Sequence, residues 1–377
     1  VNAGIRLNMR RAQPIFAPKE VRHLVRHRLE KANPDAAMSD PVEPSVYYLD
    51  RGTPEPVRSA LLDGARWWAE AFESAGFSNA FRVEMMPEGA DPMDVRYNVI
   101  QWVHRSTRGW SYGRSVRDPR TGEILKGHVS LGSLRVRQDY LLAEGLLAPY
   151  ADTTIRSEEA LADDPMLTMA LARLRQLSAH EIGHTLGFLH NFSASANNRA
   201  SVMDYPAPLV RMTPAGEISL DDAYDAGIGD WDKVAVRYAY TQFPDSVDEQ
   251  AALNDLLERA REAGLEFIAD TDARAQGGAH PSANLWDNGS DPVANLEHEL
   301  AVRDLALARF GLGNMRADRP MAQLEEVRGP LYLHHRYQVE ATVKLVGGVN
   351  YTYTLKGGGR PPPTTVDAEQ QVAALNV

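Results

Sequence analysis

The stretch LSAHEIGHTLGFLHNF, residues 177–192, sets three histidines, a glutamate and a glycine at telling intervals. On an α-helix His180 and His184 lie one turn apart. About 40° around the axis and roughly 6 Å along it separate them, so both imidazoles reach one point in space. Glu181 projects toward the same rim, where it can hold a water without ligating a metal itself. His190 would sit well above that point if the helix continued past His184. Gly187 removes the difficulty, since glycine accepts the left-handed conformation that turns a chain at a helix C-terminus. Three neutral imidazoles leave a coordination position open, the pattern of a catalytic rather than a structural zinc site. With this composition, H-E-x-x-H alone arises by chance in roughly one such chain in fifty. Adding the glycine and the third histidine lowers that to on the order of a few in 100,000, so coincidence is set aside.

The helix carrying the first two histidines is well signalled. Asp164 is a good N-cap and Pro165 occupies the first helical position, where its missing N–H costs nothing. Met166, Ala170, Leu171, Leu174 and Leu177 recur at helical spacing. Upstream, SVYYLD (residues 45–50), FRVEMM (81–86) and VRYNVIQWVHR (95–105) read as strands, rich in β-branched and aromatic residues. Residues 53–77 read as a helix starting at Thr53-Pro54 and stopping at Gly76, its inner face built from Trp67, Trp68 and Phe72. A further strand is expected over residues 123–131, after turns at Asp118-Pro119 and Thr121-Gly122. Beyond Pro244 the pattern becomes helical, in segments 246–265, 291–313 and 328–348.

Composition bounds the rest. The 377 residues carry a net charge of −11, which argues against a general nucleic-acid binder. No uninterrupted apolar run is long enough to span a membrane. Cysteine is absent, which excludes disulfides, thiolate metal sites and cysteine nucleophiles, so any metal must be held by histidine and carboxylate. The basic segment over residues 5–31 reads as a solvated arm or the remnant of a preceding domain, and GGGRPPPTT (357–365) as a linker into a helix that stops partway. These ends lead us to expect a fragment of a larger protein.

HEIGHTLGFLH matches H-E-x-x-H-x-x-G-x-x-H and thereby resembles the zinc-binding signature of the metzincin metallopeptidases. SVMDYP (201–206) is similar to their downstream Met-turn, with Met203 beneath the metal. Tyr205 stands where some metzincins place a tyrosine as an extra ligand or a donor to the oxyanion. GDWDKVAVRYAY (229–240) resembles the helix that follows that turn. DPRTGEILKG (118–127), the form of the Met-turn and LWDNGSDPV (285–293) look like a bacterial group of large zinc-dependent proteins with a Met-zincin domain.

The resemblance implies an α+β fold: a metzincin-like catalytic domain with a twisted mixed sheet, an active-site helix, a Met-turn and a C-terminal helix, followed by a mainly helical extension. The expected divisions are 1–44 for the basic arm, 45–243 for the catalytic domain, 244–356 for the extension and 357–377 for the linker and further segment. It further implies a zinc endopeptidase acting on a peptide or protein substrate, with His180, His184 and His190 as ligands, Glu181 as general base and Tyr205 assisting. The strand over 123–131 is expected at the sheet edge, pairing with substrate. Export to the periplasm, cell surface or medium is expected by the same resemblance, and nothing sets an oligomeric state. Two other classes stay open: a catalytically silent zinc-containing binding module and a non-peptidase zinc amidohydrolase.

Other candidates read as structural. His128 is expected on the surface. His334 and His335 are adjacent on a helix and point apart. Asp270, Asp272, Asp287 and Asp291 have oxygens suited to calcium, but their spacing fits turns and caps better.

Overall fold

The computed structural model describes residues 3–7, 20–107, 109–151, 164–354, 356 and 358–377. Much of the basic arm, residues 8–19, lies outside the described residues. Strands β1 (Ala3–Leu7) and β2 (Glu20–Leu24) pair antiparallel.

The centre of the molecule is a five-stranded mixed sheet. Its strands are β3 (Ser45–Leu49), β4 (Phe81–Met85), β5 (Asn98–Val103), β6 (Tyr112–Arg117) and β7 (Ile124–Gly132), in the order β4-β3-β5-β7-β6. β3, β4, β5 and β7 run parallel, while β6 folds back antiparallel on β7 through the turn that ends at Gly122 (φ +82°). The helix expected over 53–77 forms as two pieces, α1 (Val57–Arg66) and α2 (Trp68–Ser74), joined at Trp67. Trp68 and Phe72 are buried as expected, whereas Trp67 is only partly covered.

Helix α3 (Leu134–Leu147) leads toward α4 (Pro165–Thr185), where Asp164 accepts the Met166 N–H as N-cap. α4 packs against α1, α3, β6 and β7, so it is buried on most sides. Tyr47, Leu49, Ile100, Val129 and Leu131 of the sheet meet Leu174, Leu177, Ile182 and Leu186 of the helix segment in one core. After the hairpin β8 (Arg211–Met212) and β9 (Ile218–Ser219), helix α5 (Asp230–Tyr240) covers α2.

The remaining elements are α6 (Glu249–Glu262), α7 (Asp270–Ala273), α8 (Pro292–Ala308), α9 (Gln323–Tyr332), α10 (Arg336–Val343), β10 (Val349–Asn350), β11 (Thr364–Thr365) and α11 (Ala368–Asn376). α8 and α9 pack against α3, where Val302, Ala306 and Leu331 join Ala143, Leu146 and Met166 in a second core. No helix among the described residues is long and apolar enough to cross a membrane.

Candidate metal centre

α4 delivers His180 and His184 on one face, their rings edge to face at 4.8 Å. The helix then stops in a Schellman arrangement: Phe188 N–H donates to Gly183 O (3.0 Å) and Gly187 N–H to His184 O (3.2 Å). Gly187 sits at φ +98°, and a Cβ there would lie 1.8 Å from Val25 O. Glycine is therefore required twice, for the turn and for the close approach of the chain at Val25. The turn returns His190 to the face it would otherwise overshoot.

The three Nε2 atoms converge, with His184 Nε2 3.2 Å from His180 Nε2 and 3.1 Å from His190 Nε2. Each Nδ1 faces an acceptor: Val202 O for His180 (2.7 Å), Phe188 O for His184 (3.0 Å) and the Asp270 carboxylate for His190 (2.7 Å). A carbonyl or carboxylate can only accept, so each Nδ1 carries the proton and three Nε2 lone pairs point at one another. Burial reinforces this, holding His180 well below its ordinary value and His184 down at about 4. Converging lone pairs repel unless a cation lies between them. Tetrahedral zinc–imidazole bonds of about 2.0–2.1 Å put neighbouring nitrogens about 3.3 Å apart, close to the spacing here. The donor set fits zinc. Among the described residues no other group of three or more His, Asp or Glu converges in this way.

Met203 lies beneath α4 at 2 % exposure. A Cβ on Gly183 would stand 2.2 Å from Met203 Sδ, so the bare backbone of Gly183 lets the thioether reach the helix between His180 and His184. Asp232, at the start of α5, braces this turn by accepting from Ser201 Oγ (2.6 Å), Val202 N–H (2.8 Å) and Gly229 N–H (2.9 Å). The Tyr205 ring lies 4.6 Å from the His190 ring and stacks on Trp286 at 5.0 Å. The Trp286 backbone N–H donates to the Tyr205 carbonyl, and Trp286 holds a left-handed backbone (φ +62°), which costs a bulky residue about 1–3 kcal/mol.

Glu181 is 5 % exposed. Burial pushes its carboxyl up to about 8, against the lowering pull of Arg173 and of the Gly113 N–H donated to it. Gly113 belongs to β6, and a Cβ there would meet Glu181 O at 1.9 Å. Only a glycine lets this strand lie so close over α4.

This corrects one expectation. β7, read as the edge strand, runs between β5 and β6, and β6 is the edge. β6 escaped notice because its Gly113, Arg114 and Arg117 break any apolar alternation. His128 accordingly lies within the sheet, half-buried and bonded to Gln101 Oε1 at 2.9 Å, not on the surface.

The remaining candidates separate. His334 pairs with Glu299 (2.6 Å). Asp291 caps α8, Asp287 accepts from Ser195 Oγ, and Asp272 accepts from the Tyr351 and Tyr353 hydroxyls. Asp270 alone of the four reaches the histidine cluster. Its role was hidden because 80 residues separate it from His190.

The family described as Met-zincin matches residues 162–377, more than half of the chain. No curated protein and no solved structure matches it. That span takes in all three converging histidines and the methionine below them, and the chain belongs to the Met-zincin family.

Proposed function

We propose that this protein is a zinc-dependent endopeptidase. The observation that carries the reading is Glu181: a carboxyl next to His180 in sequence, buried at 5 % exposure beside the converging histidines, where Gly113 of β6 closes over it. Burying a carboxyl has a cost that a purely structural metal site would have no reason to bear.

His180, His184 and His190 would hold a zinc ion through their Nε2 atoms, and the ion would supply Lewis acidity toward the scissile carbonyl and a bound water. Glu181 takes the proton of the attacking water and hands it to the departing amine; a cation beside it favours the ionised carboxylate that this requires. Burial raises the Tyr205 phenol above its ordinary value, so its hydroxyl stays protonated as a donor to the developing oxyanion. The outer edge of β6, which no other strand among the described residues pairs, receives an extended peptide as an added strand, with Gly113 bringing that edge onto α4 beside Glu181. Residues 45–243 carry this machinery and 244–356 complete its far wall through Asp270 and Trp286. By the metzincin resemblance alone, the place of action is outside the bacterial cytoplasm.

The test is hydrolysis of casein by the zinc-loaded chain beside Glu181→Gln. Cleavage by the parent, reduced about 10²- to 10⁴-fold in the variant at equal zinc content, is expected. A parent that carries stoichiometric zinc and cleaves neither casein nor a mixed peptide library would sink the peptidase reading and favour a binding module.

A further inference from the structure

The three histidines are not held alike. His180 and His184 donate to backbone carbonyls that belong to the turn and the helix end themselves. His190 donates instead to a full carboxylate, Asp270 Oδ2 at 2.7 Å, brought from far along the chain. The approach is built, not incidental. Asn191, next to His190, donates Nδ2–H to Glu266 O (2.8 Å) and accepts the Ile268 N–H (3.2 Å). Phe192 N–H donates to Ile268 O (2.9 Å). Three bonds thus fasten the chain after His190 to residues 266–268, and α7 begins two residues later with Asp270 against the imidazole. Arg274 donates to the other carboxylate oxygen (3.3 Å) and lies over the Tyr205 ring.

From this arrangement we infer that Asp270 is the positioning residue of the metal centre: it fixes the ring and tautomer of His190 and raises the basicity of its Nε2. The inference rests on the zinc reading above. A carboxylate behind an imidazole draws the Nδ1 proton toward itself and leaves Nε2 richer in electron density, which a carbonyl does only weakly. It also places one negative charge near a centre whose three ligands are all neutral. Asp270 is 39 % exposed at its side chain, so its removal opens no cavity and strands no buried charge. Its loss is therefore felt at the metal before it is felt by the fold.

The experiment compares Asp270→Asn and Asp270→Glu with the parent 377-residue chain in zinc affinity by chelator competition, thermal midpoint without zinc, and visible absorption with cobalt in place of zinc. Asp270→Asn is expected to bind zinc about 10- to 100-fold more weakly, with an altered cobalt spectrum and an unchanged zinc-free midpoint. Asp270→Glu, which keeps the charge, is expected to recover part of that affinity. Zinc affinity of Asp270→Asn within about twofold of the parent overturns the inference, and so does a zinc-free midpoint that falls in step with affinity, since that marks a structural role. A parent that binds no zinc at all would instead remove the reading beneath it.

Discussion

His180 and His184 share one helix, and the carbonyl that each Nδ1 faces lies within the span from that helix to Val202. His190 is turned back by one glycine and oriented by a residue 80 positions away. The spacing of the first two histidines is a local product of α-helical periodicity; the placing of the third is a tertiary product, and only where both meet do three nitrogens converge. On the zinc reading proposed above, a histidine oriented from a distance offers a place where metal affinity can be tuned apart from the fold.

Gly187→Ala breaks the comparison most sharply. The left-handed backbone and the Val25 carbonyl 1.8 Å from the new Cβ both oppose it, so unfolding in denaturant should show a loss of about 3–5 kcal/mol. Zinc affinity should fall with it, because His190 is displaced while His180 and His184 keep their helix. Unchanged stability would mean that the turn is not the hinge described.

The helix side has its own anchor. His27 Nε2 lies 3.0 Å from the Tyr47 hydroxyl, which in turn contacts Thr185 Oγ1 at 2.8 Å, at the end of α4. Burial pulls His27 from 6.5 down to about 4. Between those values the unfolded chain binds more protons than the folded one, so stability rises with pH; the contribution is complete above 6.5 and lost as pH falls toward 4. The full span is worth about 3 kcal/mol. Unfolding curves of His27→Gln across this window should be flatter than the parent's by about that amount, and an equal slope would contradict the assignment.

Met203→Leu should matter least. The swap nearly conserves volume beside Gly183 and Trp68, so a stability change below about 1.5 kcal/mol is expected by thermal or denaturant unfolding. A larger loss would show that the thioether itself, not its bulk, supports the ligand pair.

What could be read from the sequence follows the same division. His180, Glu181, His184, Gly187, Asp164 and Pro165 act through helical geometry and its two caps, which are properties of neighbouring residues. The strands β3, β4, β5 and β7 were legible by their apolar content. The identity of the edge was not, because strand order is decided by pairing between distant segments, and β6 carries a glycine for close approach rather than an apolar pattern. Asp270 and Trp286 were invisible as site residues for the same reason. An aspartate in a loop reads as a turn former until the fold shows which imidazole it faces.

The most direct test of the central claim is X-ray absorption at the zinc edge of the zinc-loaded chain, with the metal content measured in the same sample. One zinc per chain, with three imidazole nitrogens at about 2.0–2.1 Å and the remaining first-shell scattering from oxygen, is the predicted result. Zinc well below one per chain, or a shell with fewer than three imidazoles, would contradict the convergence of His180, His184 and His190 on a single ion.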